Sequence, residues 1–215
     1  MLYAIACQAT ETMSHYFDDR PSAPSAPRTV EVVLPDVAFR YETDRAVFGS
    51  DRLDAGTRFL LQEATGLPAT GDVLDLGCGA GPIALTMALR APGAHVWAID
   101  VNERARQLCA SNADALGLRN VTVAAPHAVP PDVRFDAIWS NPPIRIGKAA
   151  LHELLAAWLG RLRPDGVAWL VVHRHLGADS LQRWLVAGGW PTTRRGSRGG
   201  YRVLRSTCSQ HWPQS

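Results

Sequence analysis

Two stretches of this 215-residue chain bring together residue types that could do chemistry. In the first, Asp75 is followed by Gly77, Gly79 and Gly81 at alternate positions and then by Pro82. Glycines so spaced let a backbone turn tightly and let a ligand approach the main chain, because no Cβ stands in the way. Gly81 is placed to cap a helix and Pro82 to open it, where a missing N–H costs nothing. The dinucleotide fingerprint wants its third glycine one residue later, where Pro82 stands here. A carboxylate two residues before the first glycine would repel a pyrophosphate and attract an amino group, so the loop suits a ligand with a cationic end. Asp100, which closes the apolar run Val96-Trp97-Ala98-Ile99, can accept both hydroxyls of a ribose, a feature shared by more than one class of nucleoside cofactor.

The second stretch is Ser140-Asn141-Pro142-Pro143-Ile144. Tandem prolines hold the backbone extended and remove two donors. The carbonyl of Pro142 is therefore expected to point inward unpaired, with the Asn141 side chain as a second acceptor beside it. Two acceptors converging on one point suit a planar NH2 group. Such a group is a poor nucleophile while its lone pair is delocalised; accepting both hydrogens draws the nitrogen towards tetrahedral geometry and stabilises the charge that develops as it attacks. Oriented dipoles of this kind are worth about two to three powers of ten in rate, and alignment with the electrophile supplies much of the rest. No strong general base is needed, because an alkylated ammonium product is acidic enough to lose its proton afterwards. Asn-Pro-Pro alone would also serve as a rigid turn, so its meaning depends on the elements around it.

Those elements alternate from Asp72 onward. Strands are expected at Val73 to Leu76, His95 to Ile99, Val121 to Ala124, Phe135 to Ser140 and Val167 to His173, and helices at Pro82 to Arg90, Glu103 to Leu116, Lys148 to Leu162 and Ala178 to Ala187. Leu151, Leu154, Leu155, Trp158, Leu159 and Leu162 recur every three or four positions, a stripe that packs on a sheet. The apolar run Val167 to Val172 is what a strand covered on both faces requires. The alternation implies an α/β fold with a doubly wound, mostly parallel seven-stranded sheet. Pro126 to Val133 is too short and proline-rich for a good helix, and Tyr201 to Arg205 reads as a final, antiparallel strand. Ahead of the sheet, Thr29 to Leu34 and Val37 to Thr43 flank Pro35-Asp36 as a hairpin, and Asp54 to Gly66 starts like a helix, with Asp51 or Asp54 as its cap. Ligands of an open parallel sheet bind at the carboxyl ends of its strands, where Gly77, Asp100 and Asn141 all fall.

The Asp75 to Gly81 run resembles motif I of the class I S-adenosylmethionine (SAM) methyltransferases, whose cofactor carries an α-amino group and a sulfonium. With Asn141-Pro142-Pro143 after the fourth strand, the chain resembles the amino-group methyltransferases. Members with an aromatic residue next stack it on the target; Ile144 stands there instead, which points away from an adenine or glutamine target. The longer string Ser140 to Lys148 with Leu151-His152 is similar to the small-subunit rRNA guanine-N2 methyltransferase C family, above all its short single-domain relatives. His15-Tyr16-Phe17, Val47-Phe48-Gly49, Asp51 to Thr57 and Gly199 to Leu204 extend the likeness over roughly His15 to Ser206. The resemblance implies SAM as methyl donor, S-adenosylhomocysteine as product, and ribosomal RNA or the small ribosomal subunit as partner. It assigns cofactor binding to Asp75, Gly77, Cys78, Gly79, Asp100, Val101, Asn141 and Thr57. Orientation of the amine falls to Asn141 and Pro142, and substrate contact to Pro143, Ile144, Arg145 and Lys148. The acidic residue that the family often places after the third strand is replaced by Ala125-Pro126-His127, and no adenine-contacting residue is assigned.

Composition narrows the setting. With 47% hydrophobic and 20% charged residues, the chain has the makings of one sizeable domain with an appendage. Residues 1–13 are expected to be a disordered extension, 14–50 a hairpin extension on the substrate side, 51–206 the methyltransferase domain and 207–215 a tail. No apolar run has the length of a membrane span, the start has no basic region of a signal peptide, and the four cysteines have neither metal-ligand nor disulfide spacing; a cytoplasmic protein without a metal is expected. The net charge of +2 hides an asymmetry: no acidic residue follows Asp179, while Arg183, Arg194, Arg195, Arg198, Arg202 and Arg205 do. The run Arg194 to Gly200 reads as a basic RNA-binding loop or a solvated hairpin loop. Three alternatives stay open at this point: an N-P-P methyltransferase of a protein amide or small molecule, a non-catalytic RNA-binding or ribosome-assembly factor on a cofactor fold, and a nicotinamide oxidoreductase.

Overall fold

Alternating residues of the central strands feed two different apolar layers, and this divides the molecule. In the computed structural model, which describes residues 26–44 and 52–208, the elements are β1 (Pro27–Val33), β2 (Ala38–Asp44), α1 (Ala55–Glu63), β3 (Gly71–Leu76), α2 (Pro82–Arg90), β4 (Ala94–Ile99), α3 (Glu103–Ala115), β5 (Val121–Ala124), β6 (Phe135–Ser140), α4 (Lys148–Leu159), β7 (Leu162–His173), α5 (Ala178–Ala187), β8 (Thr192–Arg198) and β9 (Tyr201–Thr207). Val73, Trp169 and Val171 pack into one layer with α1, α2 and α3, and their neighbours Leu74, Leu170 and Val172 into the other with α4 and α5. That is the period-2 alternation of strands buried on both faces.

The sheet runs β5-β4-β3-β6-β7-β9-β8, parallel from β5 to β7, with β9 antiparallel to both β7 and β8. The order reverses between β3 and β6, which puts the switch point between the two stretches that carry the chemistry. As expected, the segment after β5 forms only a short 3-10 turn, Pro126–Ala128.

Two expectations are corrected. The helix over Lys148 to Leu162 stops at Leu159, because Gly160 caps it and Leu162 already pairs with Phe135 as the start of β7. The basic run Arg194 to Gly200 is not a loop: Arg194–Arg198 belong to edge strand β8, bulged between Arg194 and Gly196, and only Gly199 and Gly200, at φ 55° and 86°, make the turn.

The β1–β2 hairpin is docked onto the α1–α3 side. Val30, Val32, Phe39 and Tyr41 are buried in that layer. Buried Asn112 of α3 accepts the Glu42 N–H at 2.8 Å and donates to Glu42 O at 2.7 Å and Ala80 O at 2.9 Å. Arg90 grips both carboxylate oxygens of Asp36, at 2.7 and 2.9 Å. The expected extension 1–13, His15-Tyr16-Phe17, Val47-Phe48-Gly49, Asp51 and the last seven residues lie outside the described residues.

Candidate active site

The loop after β3 is held by the end of β4. The N–H groups of Gly77 and Cys78 both donate to Ile99 O at 2.9 Å, and that of Gly79 donates to Asp100 Oδ2 at 2.9 Å. Gly77 has φ 80°, and a Cβ there would meet no atom within 4 Å, so bare backbone borders open space. Gly81, at φ 100°, is the N-cap of α2, with Pro82 behind it. A Cβ on Gly81 would stand 2.7 Å from Cys109 Sγ, which leaves glycine no substitute.

Asp75 lies deeper than a surface contact would. It is fully buried, and its Oδ2 accepts the N–H of Ala84, in the first turn of α2, at 2.9 Å. Its Oδ1 has no hydrogen-bond partner among the described residues. Burial pushes the carboxyl up to about 8; the Ala84 bond opposes this and the charge of Asp100 adds to it. A buried acceptor without a partner is costly, and a cationic group brought to Oδ1 would relieve it. Asp100 is also raised by burial, against the N–H groups of Asn102 and Gly79 and the charge of Arg106. Each of its oxygens accepts one backbone N–H, Oδ1 that of Asn102 and Oδ2 that of Gly79, both at 2.9 Å, and a carboxylate oxygen retains capacity for a second donor. Arg106, which carried no signal in the sequence, holds the carbonyls of Asp100 and Val101 at 2.8 and 2.7 Å. The unpaired oxygen of Asp75, the open side of Gly77 and the acceptors of Asp100 together fit a ligand with an ammonium and a ribose.

Cys78 is held into the loop on both sides. Its N–H is taken by Ile99 O, its carbonyl by the Gly81 N–H, and its buried thiol lies against Cys109. The residue sets the shape of the loop, and one lone pair of its carbonyl remains.

Asn141 follows β6, whose last residue, buried Ser140, donates to Leu76 O at 2.6 Å and ties the two strand ends together. Asn141 Nδ2 donates to Asp54 Oδ2 at 2.9 Å and to Thr57 Oγ1 at 3.0 Å. Both amide hydrogens are committed. Oδ1, the acceptor, takes no hydrogen bond among the described residues. Thr57 is buried and belongs to this group. Asp54 entered the sequence reading only as a helix cap; it does cap α1, accepting the Thr57 N–H at 2.8 Å, and it reaches Asn141 with the same oxygen. Tyr201 was likewise missed as a neighbour of the site. It opens β9 opposite His173, whose ring it meets edge-on at 5.0 Å. A Cβ added to Gly56 would come within 2.6 Å of its ring.

Pro142 departs from expectation. Its carbonyl is not unpaired: the Ile144 N–H donates to it at 2.8 Å, because Pro143, at φ −75° and ψ 73°, closes an inverse γ-turn. One lone pair remains. Ile144 packs partly against the α4 side of the core, while Arg145 and Lys148 are exposed beside the Asn141 loop.

Comparison with known proteins agrees with this geometry. The methyltransferase small domain family matches residues 38–204. An uncharacterised protein of Bacillus subtilis, YbxB, is 34% identical over 169 residues, covering 77% of this chain and 84% of that protein. The ribosomal RNA small subunit methyltransferase C of Pseudomonas entomophila is 32% identical over 209 residues, 94% of this chain and 60% of the relative. A ribosomal RNA large subunit methyltransferase G of Streptomyces avermitilis is 34% identical over 61% of this chain and 36% of its own. The chain thus spans less than two thirds of these two rRNA methyltransferases. Among solved structures, the T. thermophilus 16S rRNA N2 G1207 methyltransferase in complex with AdoMet and guanosine superposes with a TM-score of 0.70 at 25% identity, covering 87% of this chain and 52% of that one.

Proposed function

The chain belongs to the methyltransferase small domain family and is a SAM-dependent methyltransferase, and from that premise we propose that it methylates the exocyclic amine, N2, of a guanine in small-subunit ribosomal RNA. When bound, SAM supplies a methyl group made electrophilic by a sulfonium. Asp75 Oδ1 would receive its ammonium end and Asp100 its ribose hydroxyls, and the bare backbone at Gly77 would leave it access to the main chain. Asn141 Oδ1 and the remaining lone pair of Pro142 O accept the two hydrogens of the target amine. That draws its nitrogen out of conjugation and stabilises the charge developing on it. The proton then leaves to solvent from an acidic ammonium, without a dedicated base. Pro143 and Ile144 border the ring, and Arg145 and Lys148 meet phosphates.

The observation that carries this reading is the committed amide of Asn141, which leaves an acceptor as the only polar atom the side chain can present. Ile144 in the place of a stacking aromatic favours guanine over adenine or a protein amide. The likeness to a large-subunit enzyme keeps a second reading, the same chemistry on large-subunit RNA. No helix of the described residues is long and apolar enough to cross a membrane, and we place the protein in the cytoplasm with its ribosomal substrate. The test is nucleoside analysis of both rRNAs from cells with and without the gene. Loss of N2-methylguanosine from the small-subunit RNA supports the proposal. Loss from the large-subunit RNA supports the second reading, and unchanged content in both contradicts each.

A further inference from the structure

We propose that Asp54, seconded by Thr57, is a positioning residue for methyl transfer: it dictates which end of the Asn141 amide faces the substrate. The inference rests on the reading of Asn141 as the acceptor for the target amine and adds to it the reason that an acceptor stands there. The two ends of an asparagine amide are nearly equal in size, so packing alone does not choose between them. Their hydrogen-bonding roles are opposite, since Oδ1 only accepts and Nδ2 only donates. With Nδ2 turned to the substrate, two donors would confront an NH2 group, and the pair would repel.

Asp54 removes that choice. An ionised carboxylate only accepts, so the amide end lying 2.9 Å from Asp54 Oδ2 has to be Nδ2. The second hydrogen goes to Thr57 Oγ1 at 3.0 Å. The carboxylate is itself held in place: Oδ2 also accepts the Thr57 N–H at 2.8 Å as the cap of α1. Tyr201 closes the group from β9, its ring lying against Gly56. Asp54 and Asn141 are 87 residues apart in sequence, so this clamp joins the segment before β3 to the loop after β6.

Substitutions separate the clamp from the cap. Serine caps helices about as well as aspartate, but its shorter side chain does not reach Asn141; asparagine can both cap and present an oxygen to Nδ2. The full-length protein would be assayed with SAM and an unmodified small-subunit rRNA transcript, alongside Asp54→Ser, Asp54→Asn and Asn141→Ala, with cofactor affinity and melting temperature measured for each. We expect Asp54→Ser to keep its melting temperature and SAM affinity while kcat falls about tenfold or more, the scale of one lost hydrogen bond to a charged group. Asp54→Asn should recover to within about threefold of wild type. Wild-type kcat in Asp54→Ser, with Asn141→Ala inactive, would overturn the positioning role and leave the acceptor reading standing. An active Asn141→Ala would overturn both. A fall in Asp54→Ser that Asp54→Asn does not recover would also overturn it.

Discussion

At Gly77 the backbone does what a side chain would prevent. An L-residue at φ 80° costs about 1–2 kcal/mol, and its Cβ would enter the open space of the loop. We expect Gly77→Ala to lower stability by about that amount and to weaken SAM binding about tenfold or more, by calorimetric titration; unchanged affinity would contradict the assignment of that space to the cofactor. Asp75 makes a second prediction. Its folded-state pKa, about 8, stands above the ordinary 3.8, so the folded protein keeps a proton that the unfolded chain releases between those values. The contribution of this group to stability is therefore fully present at low pH and is lost as pH rises through that window. The melting temperature of the ligand-free protein should fall between about pH 5 and about pH 8, and Asp75→Asn should flatten the fall, gaining stability on the order of a few kcal/mol at the upper end. An equal slope in the variant would show that Asp75 is not the group. Both residues were legible in the sequence because a glycine at a strand end and an acid in an apolar run are conspicuous. Asp54 was half legible: its place before Thr57 announced a cap, but nothing local announces a partner 87 residues away.

Among the elements, the hairpin tests how the front of the chain is held. Its link to α3 includes two hydrogen bonds between Asn112 and the Glu42 backbone and the ion pair of Arg104 with Asp44; Asn112 also donates to buried Ala80 O, so Asn112→Leu would leave backbone groups of Glu42 and Ala80 unpaired. Each such loss costs about 1–3 kcal/mol, so a destabilisation of about 3 kcal/mol or more is expected in urea unfolding. A loss under about 1 kcal/mol would mean that Asn112 does not hold the hairpin. The parallel strands were readable because burial on both faces leaves continuous apolar runs. Edge strand β8 was not: of its seven residues only Thr192 is buried, so no alternation marks it, and its arginines resemble loop. Such charge on an edge is also what blocks pairing with another chain. The overrun of α4 has a related cause, for Leu162 continues the helical spacing of Leu155, Trp158 and Leu159 although it belongs to β7.

For the whole molecule, the proposal raises the question of how a chain that spans 60% of its small-subunit relative would recognise a large RNA. Exposed Arg145 and Lys148 stand beside the Asn141 loop, and each neutralised phosphate steepens the dependence of log affinity on log salt by about 0.7–0.9. The double variant Arg145→Glu, Lys148→Glu should raise KM for RNA about tenfold and reduce that salt slope by about 1.4–1.8; a wild-type slope would place RNA contact elsewhere. The most direct measurement is transfer of radiolabelled methyl from SAM to separated small- and large-subunit particles, their naked RNAs and total cell protein, by wild type and by Asn141→Ala. We expect label in small-subunit RNA, recovered as N2-methylguanosine and absent with Asn141→Ala. Label in protein, label in another nucleoside, or no label despite SAM binding would contradict guanine methylation.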